Sequence, residues 1–228
     1  MIALVTGAGR GLGLEFARQL AARGATVFGT VRRDGEALDA LGVTALRLDV
    51  ADPASIAAFA TDLAARVDRV DLLINNAGIN SRGVPEGQRN VRWGALEPEG
   101  ILRMVQVNAV GPVLVTQALA PLLKPGARVL SISSWLGSIQ RKTSGGNYGY
   151  CASKTTLNML ARAMAFDLAE QGVISVVANP GWVRTDMGGA RAALTPDQSV
   201  SGLLALVDQL TPAHTGGFYQ WDGTEHPW

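Results

Sequence analysis

The stretch "YCASK" at 150–154 places a tyrosine and a lysine four residues apart. In a helix, positions i and i+4 lie on one face, so the phenol of Tyr150 and the ammonium of Lys154 can serve one site. A free phenol has a pKa of about 10, and a nearby ammonium would lower this pKa toward values suited to proton transfer. A solvated helix surface would give the same five letters, so the pair needs support from the rest of the chain.

A glycine-rich stretch, "TGAGRGLG" at 6–13, lies where the first apolar run gives way to the first helical pattern. Gly7 allows a tight turn, Gly11 lets the backbone approach a phosphate, and Gly13 allows close packing of helix on strand. The helix start then presents unpaired N–H groups to an anion. In this strand–turn–helix context the pattern predicts a phosphate-bearing cofactor.

The residues after the second predicted strand indicate which dinucleotide binds. An NAD site usually carries an acid near the end of this strand, whereas the 2′-phosphate of NADP needs cations. Here Val31 ends the strand and is followed by Arg32 and Arg33, and Arg10 lies in the glycine turn. Guanidinium groups suit a phosphate. Asp34 comes late and could start the next helix, so NADP(H) is favoured over NAD(H).

Short apolar runs rich in β-branched residues alternate with amphipathic patterns along the chain. Strands are predicted at 2–6, 25–30, 43–50, 70–75, 127–133, 173–179 and 216–221. Helices are predicted at 12–23, 35–41, 53–67, 98–122, 150–171 and 196–210. Continuous apolar strands between helices predict a parallel sheet covered on both faces. Right-handed crossovers then give a Rossmann-type doubly wound α/β fold of about seven strands, in a single domain over 1–228.

Composition indicates a globular core and excludes some partners. Apolar residues make up 47% of the 228 residues, and Lys plus Arg (20) nearly equals Asp plus Glu (19). No net charge therefore directs the chain toward nucleic acid or an acidic membrane. Cys151 is the single cysteine, which excludes an intramolecular disulfide and favours a reducing, cytoplasmic location. His214 and His226 have no Cys or Asp cluster near them, so no metal site is expected.

Further motifs follow the later predicted strands or lie in the helices between them. They are "LDV" (48–50), "NNAG" (75–78), "VNAVGP" (107–112), "SISS" (131–134) and "NPGWVRT" (179–185). With the glycine turn and YCASK, and in this order, they make the chain resemble the short-chain dehydrogenase/reductase family. "GWVRTDMGG" and the ending "GGFYQWDGTEHPW" are similar to the carbonyl-reductase-like branch named for C-factor and Sniffer. One departure is a longer than usual spacing from Ser134 to Tyr150, which the loop 137–147 can absorb.

The resemblance implies a role for each motif residue. Tyr150 would transfer a proton, Lys154 would lower the pKa of Tyr150 and bind the nicotinamide ribose, and Ser134 would bind the substrate oxygen. Asn108 would help to hold a water that connects Lys154 to solvent. Tyr148 competes with Tyr150 but lies on another helical face. The implied cofactor-binding residues are Gly7, Gly9, Arg10, Gly11, Leu12, Gly13, Arg32, Asp49 at the adenine, Val50, Asn76, Ala77, Gly78, Tyr150, Lys154, Pro180, Gly181, Val183 and Thr185.

These motifs predict NADP(H)-dependent reduction of an aldehyde or ketone to an alcohol, or the reverse reaction. The stretches that could line the pocket carry few charges beyond Arg184 and Arg191, which favours a small neutral substrate. The alternative is a cofactor-binding signalling or regulatory protein of the C-factor type with little or no turnover. Dehalogenation and nucleotide-sugar epimerisation, which also occur on this fold, fit poorly. Trp93, Trp135 and Trp182 could line an apolar substrate pocket, and the segment 186–200 could cover it. Since the family often assembles through its long helices, a homodimer or homotetramer is expected.

Overall fold

The computed structural model describes residues 1–89 and 92–228, and in these ranges seven parallel strands form one sheet. The strands are β1 (Ile2–Val5), β2 (Thr26–Val31), β3 (Thr44–Arg47), β4 (Val70–Asn75), β5 (Leu123–Ile132), β6 (Ile174–Asn179) and β7 (Phe218–Gln220). Their spatial order is β3-β2-β1-β4-β5-β6-β7. The predicted Rossmann-type fold is therefore confirmed.

Helices cover both faces of the sheet. They are α1 (Gly11–Ala22), α2 (Glu36–Asp39), α3 (Pro53–Ala64), α4 (Pro98–Val105), α5 (Gly111–Leu119), α6 (Tyr148–Ala169) and α7 (Pro196–Gln209). One hydrophobic core packs α3, α5 and α6 against the sheet, and a second packs α1, α2 and α7 against the other face. Successive strand residues alternate between the cores, as Leu4 and Val5 do, because side chains of a strand point to opposite faces.

The sequence order of the strands reverses between β1 and β4, which are neighbours in the sheet. Val5 pairs with Gly29 of β2 on one side and with Ile74 of β4 on the other. In open parallel sheets, ligands bind in the crevice beyond the carboxyl ends of the strands at such a reversal. The glycine turn after β1 and the "NNAG" segment after β4 both lie at this crevice.

The predicted helix 98–122 differs from the observed structure. A π-helical turn, Gln106–Val110, separates α4 from α5, and a 3₁₀ turn, Ala120–Leu122, follows α5. π-helical turns are rare and often lie at functional sites. This turn carries Asn108, one of the predicted catalytic residues.

The same stretch, Pro98–Leu122, has the length and apolar composition that would allow a helix to cross a membrane. Half of its most apolar window is buried inside the fold, where α5 contributes Val115 and Leu119 to a core. Its apolar character is therefore explained by packing against the sheet and α6.

Candidate active site and cofactor site

Thr6, at the end of β1, joins the glycine turn to the segment after β4. Its hydroxyl accepts hydrogen bonds from the backbone N–H groups of Asn76 and Ala77, both at 3.0 Å. The side-chain amide of Asn76 donates to the carbonyl oxygens of Thr6 (2.9 Å) and Gly7 (3.2 Å). Asn76, which the sequence predicted to bind cofactor, is thus hydrogen-bonded to the backbone of the turn and stabilises its shape. Sequence reasoning did not single out Thr6, although it begins the glycine motif.

The glycine turn leaves almost no space for side chains on its inner side. Gly7 has a φ of 65° and lies against the backbone of Ala77. A Cβ on Gly13 would overlap the carbonyl oxygen of Gly7, so only glycine lets α1 begin this close to β1. Gly11 also has a positive φ, 57°, and faces the side chain of Thr185. The turn therefore exposes backbone toward the crevice at the N-terminus of α1, as a phosphate site requires.

The substitution Gly13→Ala tests this packing. The added methyl group must displace the carbonyl of Gly7, so we expect a loss of about 1–3 kcal/mol in the free energy of unfolding and weaker dinucleotide binding. Gly87→Ala is the matched control, because a Cβ there meets nothing within 4 Å. Chemical unfolding and dinucleotide titration of both variants make the comparison. Equal behaviour of the two variants would contradict the role assigned to Gly13.

Exposed arginine side chains lie on two sides of the glycine turn. A Cβ on Gly9 would lie 3.1 Å from Val31 Cγ1, so the turn contacts the end of β2. Arg32 and Arg33 follow that strand end and are exposed. Arg10 is the residue before α1, and its guanidinium lies 3.3 Å from the carboxylate of Asp186 with both side chains about 80% exposed. Such an exposed ion pair is weak, so Arg10 can exchange it for a ligand phosphate.

Asp49 and Val50 lie on the loop after β3. The Asp49 carboxylate accepts a hydrogen bond from Ala51 N at 2.9 Å, and its own N–H donates to Ser55 Oγ at 2.9 Å. Val50 is buried and contacts Gly111 at the start of α5. These contacts hold the loop at the same edge of the sheet, beside the crevice.

Ser134 and Tyr150 come together beyond the end of β5. Ser134 is 9% exposed, and its hydroxyl accepts a hydrogen bond from Leu136 N at 3.2 Å. Burial raises the pKa of Tyr150 to about 12, the nearby Ser134 hydroxyl opposes this rise, and the Cys151 side chain adds to it. The sequence predicted a lowered pKa for Tyr150. That expectation is wrong for this arrangement because spacing along a helix shows proximity but not the desolvation of the phenol.

Lys154 lies behind the Tyr150 ring, with its Nζ 5.9 Å from the ring centroid. It is 5% exposed, and its ammonium donates to the carbonyl oxygen of Ile132 at 2.8 Å. Burial lowers the pKa of Lys154 to about 8. A Cβ on Gly78 would lie 3.7 Å from Nζ, so the "NNAG" segment passes directly beside the ammonium. The structure thus brings the tyrosine, the lysine and the segment after β4 to one place.

Asn108 connects the π-helical turn to two neighbouring elements. Its Oδ1 accepts from Ile79 N (2.7 Å), and its Nδ2 donates to Ile79 O (2.8 Å) and to Ser153 Oγ (2.9 Å). The side chain is fully buried. Asn108 therefore fixes the backbone beyond "NNAG" against α6. Its predicted part in holding a water stays a prediction.

A second layer of polar groups supports the site. Asn158 accepts a hydrogen bond from Ser133 Oγ (2.6 Å) and donates to Gly137 O (3.1 Å). Thr155 Oγ1 also donates to Gly137 O, at 3.0 Å. Sequence reasoning missed Asn158, although its position four residues after Lys154 places it on the same face of α6.

The segment after β6 closes the other side of the crevice. Gly181 has a φ of 78°, and Val183 bridges to Leu194. The guanidinium of Arg82, in the loop after β4, donates to the backbone oxygens of Asp186 (3.1 Å) and Met187 (3.2 Å). The predicted cofactor residues of this segment, Pro180, Gly181, Val183 and Thr185, thus lie opposite the glycine turn.

Comparison with known proteins places this geometry in a family. A model of the short chain dehydrogenase family matches residues 1–194. The chain belongs to the short-chain dehydrogenase family. A relative within it, the C-signal of Myxococcus xanthus, is 42% identical over 173 residues, covering 75% of this chain and 99% of that protein.

Solved structures of the short-chain dehydrogenase family include two carbonyl reductases similar to this chain. The NADPH-bound carbonyl reductase from chicken fatty liver has a TM-score of 0.89 and 33% identity, over 99% of this chain and 98% of that chain. Carbonyl reductase Sniffer of D. melanogaster has a TM-score of 0.90 and 31% identity, over 100% and 98%. The resemblance to the C-factor and Sniffer branch is confirmed, and the chain is an oxidoreductase by family.

Proposed function

We propose that the protein is an NADP(H)-dependent oxidoreductase that reduces small neutral aldehydes or ketones to alcohols, or catalyses the reverse reaction. The observation that carries this proposal is the meeting of Ser134, Tyr150 and buried Lys154 beside the crevice that the glycine turn borders. Two hydroxyl groups at one point can bind a carbonyl oxygen and protonate it. The two carbonyl reductases with similar folds support the same chemistry.

The cofactor would supply the hydride, and the residues of the chain handle the proton and the substrate oxygen. The phenol of Tyr150, whose pKa burial raises further above neutrality, carries its proton at pH 7 and can donate it. Lys154, with a pKa of about 8, is mostly an ammonium at pH 7 and opposes the negative charge left on the phenolate. Ser134 holds the oxygen that receives the proton, so the transfer distance stays short.

The residues at the crevice fit a dinucleotide with a 2′-phosphate. The glycine turn brings backbone to the crevice, Arg32 is an exposed cation at the end of β2, and Arg10 is an exposed cation beside Asp186 of the segment after β6. Tyr150, Lys154 and the 180–185 segment lie where the nicotinamide end would reach. The NADPH bound to the chicken enzyme supports a preference for NADP(H) over NAD(H).

Arg32→Ala tests the cofactor preference. We expect NADPH to bind about 1.5–3 kcal/mol more weakly, since a charge-assisted hydrogen bond is lost. NADH affinity should barely change, because NADH has no phosphate for the guanidinium to hold. Dissociation constants for both cofactors at fixed ionic strength give the result, with Arg33→Ala as the neighbouring control. Equal losses for NADPH and NADH, or a wild-type preference for NADH, would contradict the assignment.

Apolar surface at the site supports a neutral substrate. Trp135 follows Ser134 directly and is 46% exposed, while Trp182 and Met187 belong to the segment after β6 and are also exposed. Trp93 packs its ring against Tyr148 with centroids 6.2 Å apart, so its place in the pocket is less direct. A panel of aldehydes and ketones, assayed by NADPH absorbance, tests the proposal. No turnover of any member alongside tight NADPH binding would overturn it.

A second candidate is a cofactor-binding signalling or regulatory protein with little turnover. The 42% identity to C-signal favours it. Such a protein would not need the Ser134, Tyr150 and Lys154 arrangement, and all three residues are in place here. The same carbonyl panel separates the two candidates.

Location and assembly are proposals as well. We propose a cytoplasmic protein that pairs through its long helices, and the exposed apolar side chains of Met159 and Phe166 on α6 support such a contact. Light scattering of the purified chain, compared with a Met159→Asp variant, measures the assembly.

A further inference from the structure

We propose that Trp228 is a positioning residue for the active site, which rests on the proposed function. Its main-chain oxygen and its ring together hold the turn that follows Ser134, and so keep the serine hydroxyl beside Tyr150. The segment that contains it, Glu225–Trp228, is here called the tail strap. Nothing in the glycine, YCASK or serine motifs points to it.

The main-chain oxygen of Trp228 contacts the loop beyond Ser134 at two points. It accepts a hydrogen bond from Ser138 Oγ at 3.0 Å and another from Gln140 N at 3.0 Å. Ser138 is 1% exposed, and its hydroxyl also accepts from Arg141 N at 3.2 Å. The loop 138–141 is therefore organised around one oxygen of the tail strap.

The rest of the tail strap is anchored to the sheet and to α6. Glu225 bridges to Tyr219, and His226 N donates to Phe218 O at 2.8 Å. The Phe218 ring contacts the rings of both His226 and Trp228, with centroids 4.5 and 5.2 Å apart. The Trp228 oxygen is thus held in place by the edge of the sheet.

The ring of Trp228 also reaches the helix that carries the catalytic pair. The guanidinium carbon of Arg162, on α6, lies 4.8 Å from the Trp228 ring centroid. A cation over an aromatic face is attracted to it by about 0.5–1 kcal/mol at an exposed position. The strap therefore links β7, α6 and the loop after Ser134.

Ser134 needs support from both ends of its turn. On the α6 side, Gly137 O accepts hydrogen bonds from Thr155 and Asn158, and Gly137 N donates to Ser134 O at 2.9 Å. On the far side, the Trp228 oxygen restrains Ser138 and Gln140. With the strap contacts removed, only the inner half of the turn stays fixed, and the hydroxyl of Ser134 loses its single orientation.

Two substitutions test the positioning role. Trp228→Ala removes the ring contacts, and Ser138→Ala removes a hydrogen bond to the Trp228 oxygen while leaving the strap itself intact. Gln209→Ala, an exposed residue at the end of α7 and outside both peptides, is the control. Amide hydrogen exchange of the peptides covering 134–142 and 150–160 reports local order without requiring any substrate.

We expect exchange in 134–142 to rise about tenfold in both variants, with 150–160 unchanged. The value of kcat should fall about tenfold through misplacement of Ser134, whereas the NADPH dissociation constant stays within about twofold. Trp228→Phe, which keeps an aromatic ring on Phe218 and Arg162, should recover most of the rate. The control should match wild type in every measurement.

Unchanged exchange and unchanged kcat in both variants would overturn the inference. Faster exchange with normal kcat would also overturn it, because the strap would then order the turn without affecting catalysis. If Trp228→Ala does not fold, Ser138→Ala decides by the same criteria. If the wild type reduces no carbonyl, the proposed function fails, and the exchange result alone decides whether the strap orders the turn.

Discussion

Tyr150→Phe is expected to lower kcat for carbonyl reduction by about 10²–10⁴-fold, the usual contribution of a positioned general acid. Phenylalanine keeps the ring but removes the hydroxyl that meets Ser134, so the proposed proton donor is lost. NADPH affinity should stay within a few fold, because the phenol acts on the substrate. Steady-state kinetics and a separate NADPH titration give the two values.

Tyr148→Phe is the matched control for this result. Tyr148 begins α6, but its ring packs against Trp93. We expect near-normal rates for this variant. If instead Tyr148→Phe were inactive and Tyr150→Phe active, the proton donor would be Tyr148.

Lys154→Ala is expected to impair both catalysis and cofactor binding. The ammonium that opposes the charge on the phenolate is lost, and so is the group beside Gly78 that would meet the nicotinamide ribose. We expect kcat to fall by about 10²-fold or more, with a weaker affinity for NADPH. Lys154→Arg, which keeps a positive charge, should retain part of both. A change in cofactor affinity alone would reject the electrostatic role.

The pH dependence follows from the lowered pKa of Lys154. As pH rises through about 8, the ammonium loses its proton, so the wild-type reduction rate should fall in this range. The Lys154→Ala variant should not show this fall in rate.

The free energy of unfolding should increase over the same rise in pH. The ordinary pKa is 10.5, so the unfolded chain binds this proton more tightly and the folded protein loses stability as pH falls from about 10.5 to about 8. Denaturation of wild type and Lys154→Met across this range measures the difference, roughly 3 kcal/mol.

The order of strands and helices was predictable from the sequence, but the hydrogen bonds that polar side chains make between these elements were not. Continuous apolar strands such as Val70–Asn75 indicated a buried parallel sheet, and the observed strand has the predicted bounds. The helix pattern over 98–122 gave no sign of the π-helical turn, and the hydrogen bonds of Asn108 in that turn are long-range. Asn108 bonds to Ile79 and Ser153, which lie far away in the chain.

In the site too, contacts between residues close together in the chain were predictable, and burial and contacts between distant residues were not. Spacing placed Tyr150 and Lys154 together, and the structure agrees. It could not predict how deeply each would be buried, so the direction of the Tyr150 pKa shift was wrong. The contacts of Arg82 with the segment after β6 also had no motif to reveal them, since a guanidinium bound to backbone oxygens requires only that two loops meet.

The hydroxyl of Thr6 uses every hydrogen bond that it can make. It accepts from Asn76 N and Ala77 N and donates to Ile74 O at 3.3 Å, so one donor and two acceptor positions are filled. Arg32, by contrast, is exposed at a strand end and does not help to form the turn. Mutational tolerance is therefore divided within one binding site: at position 6 little besides serine can replace threonine without disturbing the turn, while substitution of Arg32 changes cofactor affinity but not the fold. New cofactor preferences can evolve or be engineered at the arginine without disturbing the fold that Thr6 holds in place.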